Sequence, residues 1–274
     1  MVIAGPGTGK TQILSARIAN ILLETDFLPE NILCLTYTDA GRIAMRKRLH
    51  SMMGADSYRV NLHTFHSFCN QVIQENLSVF NRQSVDIISE IESIELLKQL
   101  IDGFQKDNIL HKYTGNIYSE SKRLHNLFIT MKKENFTSSM IKDCVTRFLN
   151  DLPNREEYRY KQTRNGFKKG DVKQKKIDEE TIKMQKLSAA VDAYDTYEKM
   201  MHQRNRINFE DLILWVIKAF ENNTNLLLDY QEKYQYLLVD EYQDTNGAQN
   251  RILELLTLHV DQPNIFVVGD GDQS

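Results

Sequence analysis

The sequence predicts an α/β chain in which a parallel sheet carries a P-loop nucleotide site and is interrupted by a mostly helical insertion. Three observations carry that expectation. Short apolar runs at Met1–Ala4, Ile32–Leu35, Val60–Leu62, Tyr236–Val239 and Ile265–Val268 have the length and make-up of buried strands. The first run leads into Gly5-Pro6-Gly7-Thr8-Gly9-Lys10-Thr11 and then into a helical pattern. From about Asp86 to Met201 strand signals vanish, and helices with charged loops take their place.

Taken in order, the first strand and its glycine loop have the context in which G-x-x-x-x-G-K-[ST] cradles phosphates. Gly5, Pro6, Gly7, Thr8 and Gly9 keep the backbone close to an anion, whose charge meets successive N–H groups and the positive end of the next helix. Lys10 can reach β- and γ-phosphates, and the Thr11 hydroxyl can ligate Mg²⁺. Ile13, Ala16 and Ile21 give Thr11–Leu23 its helical spacing, Ala44–Met53 continues similarly after the second strand, and Ser67–Leu77 reads as helical. In the insertion Ser89 and Glu92 have capping-box spacing, ahead of Ile94, Leu97, Ile101 and Phe104 on one helix face. Leu187, Val191, Tyr194, Glu198 and Met201 mark a second long helix. Asn208 is placed to cap a helix from Phe209 to Phe220. The strand Tyr236–Val239 then delivers Asp240 to a metal and Glu241 to an attacking water, provided the chain bends there, because adjacent strand residues otherwise face opposite ways. The expected organisation is a first sheet portion at 1–84, the helical insertion at 85–203 and a second sheet portion at 204–274.

Composition narrows the class. The 274 residues exceed the ~100–200 of a typical domain, and 41% hydrophobic content supports a sizeable core. A net charge of −3 excludes a uniformly basic nucleic-acid binder while leaving room for a local basic surface. Arg159–Lys186 is such a region: ten basic residues against four acidic ones, with Tyr160, Phe167, Gly166 and Gly170 among them. It reads either as a solvated, mobile loop or as a flexible arm contacting phosphates without reading sequence. Cys34, Cys69 and Cys144 are widely spaced and lack C-x-x-C pairing, which points to a reducing compartment, with the cytoplasm as default. No apolar run nears the ~18 residues of a membrane span, and Met1 leads directly into a strand, so no membrane partner or export signal is expected.

The ordered segments AGPGTGKT, LTYTDA, HTFHSFC, FEDL, LLVDEYQDTN and VVGDGDQS make the chain similar to the first half of a superfamily 1 DNA helicase of the UvrD/Rep/PcrA type, over almost its whole length. The resemblance implies a RecA-like first motor domain with a helical insertion, ATP and Mg²⁺ as cofactors, and single-stranded DNA or single/double-strand junctions as partners. It implies a helicase or translocase acting in DNA repair, recombination or replication, with repair or replication proteins as further partners; the oligomeric state stays open. By position, Lys10 and Thr11 match the phosphate and Mg²⁺ residues, Asp240 the second Mg²⁺ anchor and Glu241 the water-activating carboxylate. Gln243 and Gln273 match glutamines that sense the γ-phosphate and link it to DNA; a neutral amide suits this because it bonds phosphate oxygen and water without competing for the metal. Tyr37, Thr38, Thr64, Phe65 and His66 fall where the family contacts single-stranded DNA; Phe65 and Phe68 read equally as core residues, and Phe68 is assigned there. A ring accepts any base face and a hydroxyl bonds any phosphate.

The chain departs from the pattern at Asp39-Ala40-Gly41-Arg42, where Asn-Lys-Ala-Ala is usual, and at Gly271, where an aspartate is usual. The resemblance also implies an adenine-reading segment before the first strand, and an arginine-bearing segment and second motor domain after Ser274. Losing such arginines costs ~10³–10⁵ in rate, so the chain by itself is expected to hydrolyse ATP weakly or not at all. Other constellations are weaker. His63, His66 and Cys69 form H-x-x-H-x-x-C, but structural zinc wants four ligands and no second pair stands nearby. No G-x-S-x-G elbow supports nucleophilic catalysis. Remaining alternatives are the helicase subunit of a helicase–nuclease, a nucleotide-gated DNA-binding module, and a P-loop kinase, into which Gln243 and Gln273 do not fit.

Overall fold

The computed structural model describes residues 2–3, 5, 9–80, 86–111, 117–163, 166–260 and 262–270, with the backbone alone at 117 and 118. In chain order the elements are β1 (Val2–Ile3), α1 (Lys10–Glu24), β2 (Ile32–Thr36), α2 (Asp39–Met53), β3 (Asn61–Thr64), α3 (Phe65–Glu75), α4 (Glu90–Asp102) and α5 (Ile117–Lys133). They continue with α6 (Ser138–Asp151), α7 (Gln174–Gln203), α8 (Asp211–Asn222), α9 (Thr224–Lys233), β4 (Tyr236–Val239), α10 (Gly247–Thr257) and β5 (Asn264–Gly269). The chain divides into two compact units, one formed by Met1–Ser84 with Phe209–Ser274 and the other by Val85–Asn208.

The first unit is built on a five-stranded, all-parallel sheet in the order β1-β5-β4-β2-β3. All five residues of β2 are buried, as a central strand covered by helices on both faces requires. Leu14, Ile18, Ile21, Ile32, Cys34, Met45, Leu49, Leu62, Leu238 and Val268 form one core cluster under α1 and α2. Register fixes which residues meet. Thr36 pairs with Thr64, Leu35 with Val239, and Val239 with Val267, so these strands end together at one edge. The loops leaving that edge begin at Tyr37, Phe65, Asp240 and Asp270, and a crevice at the carboxyl ends of parallel strands is the usual ligand site of such sheets.

Two helices begin earlier than apolar spacing alone indicates. Thr38 caps α2 by accepting from Gly41 N at 3.1 Å, and Thr64 caps α3 in a reciprocal box with Ser67. A cap costs the helix nothing in apolar periodicity, so the polar first turns escape a pattern search. The expected cap at Asn208 is corrected: Glu210 precedes α8, while Asn208 is buried and accepts from the Tyr197 hydroxyl at 3.4 Å.

The second unit packs α4, α5 and α7 around Leu96, Leu97, Leu100, Ile101, Leu124, Phe128, Ala190, Ala193, Tyr197 and Met201. Ser89 caps α4, with Glu92 closing the box onto the Ser89 amide at 3.0 Å. Beyond α7, Ile207 is held to this unit by Ile88 N to Ile207 O at 2.8 Å and Ile207 N to Asp86 O at 3.1 Å. Among the described residues no helix is long and apolar enough to cross a membrane.

Candidate active site

Gly9 sits before α1 with φ 87° and ψ 28°, a left-handed backbone that glycine adopts without penalty. Its carbonyl accepts from Gln12 N and Ile13 N at 2.8 and 3.0 Å, so the helix starts at once and carries Lys10 and Thr11 in its first turn. Gly5 is described as well, whereas the candidate residues Pro6, Gly7, Thr8 and Gln273 lie outside the described residues.

Lys10 is 7% exposed, and its Nζ donates to Glu241 Oε2 at 2.7 Å. The Thr11 hydroxyl donates to Asp240 Oδ2 at 3.2 Å, across 229 residues of sequence. Adjacent carboxylates thus serve neighbouring partners, which an extended strand would forbid. The chain solves this at Glu241, whose φ of 51° and ψ of 48° place a non-glycine residue in the left-handed region. Such a conformation costs about 1–3 kcal/mol and persists only where its surroundings hold it. Here they do: Glu241 N donates to Asp240 Oδ1 at 3.1 Å, and Gln243 Nε2 donates to Glu241 Oε2 at 2.7 Å.

Gln243 has a second anchor. Its Oε1 accepts from Asp270 N at 2.8 Å, so one amide ties the end of β4 to the end of β5. The space for it exists because residue 269 lacks a side chain; a Cβ there would lie 2.9 Å from Gln243 Oε1. Gly269 belongs to the quoted VVGDGDQS segment, but its role was missed, since nothing local tells that its neighbour is a side chain 26 positions away.

The titration behaviour follows from the geometry. The hydrogen bond to Glu241 raises the Lys10 pKa and outweighs its burial. Burial, then the adjacent Glu241 charge, raises that of Asp240. Burial also pushes Glu241 up, but the hydrogen bonds from Lys10 and Gln243 outweigh it and hold the carboxyl below its ordinary value. With the one lysine bound to the partly exposed Glu241, the buried Asp240 is left with hydrogen bonds from the Thr11 hydroxyl and the Glu241 amide. Asp240 beside the Thr11 hydroxyl is therefore an oxygen donor set suited to a hard divalent cation, which Mg²⁺ satisfies through one or two protein oxygens plus phosphates. The residues present fit Mg²⁺–nucleotide.

The candidate DNA residues occupy the adjoining strand ends and helix starts. Tyr37 is 51% exposed after β2. Thr38 and Thr64 spend an acceptor lone pair on their helix caps and keep a hydroxyl proton to donate. Phe65 is corrected from the DNA contacts to its core alternative: it is 2% exposed and offers no face to a base in this conformation. His66 stacks on Phe209 with ring centroids 4.1 Å apart and 19° between planes, which brings the FEDL segment beside the loop after β3. Arg42 donates to Asp39 Oδ1 at 3.0 Å. Burial, then Arg42, Arg46 and Lys233, depresses the His63 pKa to about 4, and burial pushes the Cys69 thiol up. Among the described residues no three His, Cys, Asp or Glu side chains gather as metal ligands.

The family model of the UvrD/REP helicase N-terminal domain matches residues 1–274. DNA helicase II of Rickettsia typhi is 31% identical over 277 residues, covering 100% of this chain and 35% of the relative. ATP-dependent DNA helicase PcrA of Staphylococcus epidermidis is 29% identical over 274 residues, covering 100% and 31%. The Probable DNA helicase II homolog of Mycoplasma pneumoniae is 31% identical over 284 residues, covering 100% and 33%. The chain spans about a third of the length of these curated relatives.

Proposed function

We propose, since this chain belongs to the UvrD/REP helicase N-terminal domain family, that it is the ATP- and DNA-binding portion of an ATP-dependent DNA helicase or translocase acting in DNA repair, recombination or replication. The observation that supports this most is the convergence of Lys10, Thr11, Asp240, Glu241 and Gln243 at one strand-end edge. Relatives that match across the whole chain carry DNA helicase names.

In this reading Lys10 transfers its ammonium from Glu241 to the β- and γ-phosphates, and Thr11 and Asp240 hold Mg²⁺. When bound, Mg²⁺ supplies charge neutralisation on the phosphate oxygens. Glu241, released from Lys10 but still held by Gln243, accepts a proton from the attacking water; losing the Lys10 hydrogen bond that depresses its pKa makes the carboxylate a stronger base for that role. Gln243 reports the change, because the amide that orients Glu241 also accepts from the backbone at Asp270. Tyr37, Thr38, Thr64 and His66 contact single-stranded DNA on loops that leave the same edge as Asp240, so phosphate chemistry and strand contact share one rigid sheet. Gln273 joins the γ-phosphate sensing.

The test is ATP hydrolysis with and without single-stranded DNA by the full-length protein that carries this chain, as wild type, Lys10→Ala and Glu241→Gln. Stimulation by DNA that both substitutions abolish is the expected result. Turnover indifferent to DNA, or surviving either substitution, would reject the proposal.

A further inference from the structure

The basic stretch after α6 is a built hairpin. Arg159 pairs with Val172 in an antiparallel bridge, Tyr160 N donates to Asp171 O and Gly170 N to Tyr160 O, each at 2.9 Å, and Lys173 N donates to Tyr158 O at 2.8 Å. Arg159 braces it from inside, donating to Pro153 O at 2.8 Å and Gly170 O at 3.2 Å. Gly166 and Gly170 take the positive φ values, 83° and 96°, that its turns require. Tyr160 and Phe167 stack at 4.5 Å and 12°, so each spends one ring face on the other.

Among the described residues no carboxylate pairs with Lys161, Lys168 or Lys169 of this hairpin. Lys161, Lys168 and Lys169 are exposed on it, and Lys175 and Lys176 follow in the first turn of α7, which contains no acidic residue. Asp171, the one acidic residue between 159 and 176, accepts from the Lys168 amide instead of a lysine head group. Assembling like charges on a rigid frame is unfavourable unless an anionic partner offsets it. Lys173 Nζ lies 5.9 Å from the Tyr160 centroid and Phe167 is 44% exposed, so the exposed chemistry is a group of ammonium heads around one ring face.

We infer that this hairpin is a second nucleic-acid contact, carried by the helical unit, which binds the phosphodiester backbone through Lys161, Lys168 and Lys169 without reading sequence. The inference rests on the DNA-binding function proposed above. Each phosphate neutralised releases counterions, and log K falls against log salt by about 0.7 per contact on single strands and about 0.9 on duplex.

The experiment measures DNA affinity of the full chain from 50 to 200 mM salt, roughly the range over which such contacts are read. Its arms are a single-stranded oligonucleotide and a blunt duplex, each in two unrelated sequences. The variant is Lys161→Ala/Lys168→Ala/Lys169→Ala. Its control is Lys106→Ala/Lys122→Ala/Lys133→Ala, which removes the same charge from exposed positions elsewhere in the same unit. The expected result is a salt slope smaller by about 2–3 in the hairpin variant only, equal for both sequences, and restored by arginine at the three positions. The arm showing the loss identifies single strand or duplex as the form bound. Wild-type DNA binding with the same slope in both variants would overturn this inference alone. A wild type that binds neither DNA would overturn the proposed function as well.

Discussion

Gly269→Ala tests how tightly the two strand ends are coupled. A Cβ at this position would stand 2.9 Å from Gln243 Oε1 and 3.3 Å from Gln243 N, where ordinary contact begins near 3.4 Å. The amide cannot simply swing away, since Glu241 holds it at 2.7 Å and the Asp270 N–H at 2.8 Å. Asp270 is 3% exposed, so an amide displaced from it leaves a buried donor unsatisfied, at about 1–3 kcal/mol. If β5 moves instead, overpacking costs about 1–3 kcal/mol. Alanine's lower chain entropy returns about 0.5–1 kcal/mol, leaving a net loss of about 1–2 kcal/mol. Gln243→Ala deprives the same N–H of its acceptor and costs about 1–3 kcal/mol. The double variant has no side-chain amide left to strike and keeps only the 3.3 Å approach to the backbone N, so it should cost little more than Gln243→Ala, a coupling of about 1 kcal/mol. Urea unfolding followed by Trp215, the single tryptophan, which lies in α8 of the same unit, reads this directly. Costs that add to within about 0.5 kcal/mol would refute the reasoning.

Two further outcomes are expected. His63, depressed from 6.5 to about 4, is neutral in the fold while the unfolded chain binds a proton between those values. Stability is therefore complete above pH 6.5 and falls as pH drops towards 4, by roughly 3 kcal/mol for this group, and His63→Gln should remove that part of the acid sensitivity in pH-dependent urea midpoints; an unchanged profile would refute the assignment. Phe65 and Tyr37 should separate cleanly: Phe65→Ala costs about 3–5 kcal/mol of stability as a buried truncation. Tyr37→Ala, at an exposed ring, should change stability by less than about 0.5 kcal/mol yet weaken single-strand binding by about 1–3 kcal/mol in fluorescence anisotropy, and retained affinity would remove Tyr37 from the DNA surface.

Local patterns were legible where the physics is local. The apolar runs at Ile32–Leu35 and Tyr236–Val239 are strands β2 and β4, and the Ser89–Glu92 spacing is the observed box. The need for a bend after Asp240 was readable from strand geometry, and Glu241 supplies it with a left-handed backbone. What stayed hidden depends on strand order. Nothing near Gln243 tells that β5 lies beside β4 and that its Asp270 amide completes the bridge. Phe65 reads equally as a DNA contact or a core ring, because spacing does not say which way the first residue of a helix points; as the first residue of α3 it turns inward. Asn208 has the chemistry of a cap, and burial beside Tyr197 diverts it. The basic stretch reads as loose because glycine and lysine favour loops; its order comes from cross-strand hydrogen bonds and one ring stack.

The claim on which the rest depends is that Lys10, Thr11, Asp240 and Glu241 are one Mg²⁺–nucleotide site. Calorimetric titration of ATP into the wild type, Lys10→Ala and Asp240→Ala, with Mg²⁺ and with chelator, tests it most directly. One nucleotide should bind in Mg²⁺, with Lys10→Ala weakening it by about 1.5–3 kcal/mol, the worth of a charged hydrogen bond. Asp240→Ala should bind with little dependence on Mg²⁺. Equal affinity in all three proteins, or Mg²⁺ dependence surviving in Asp240→Ala, would contradict the account.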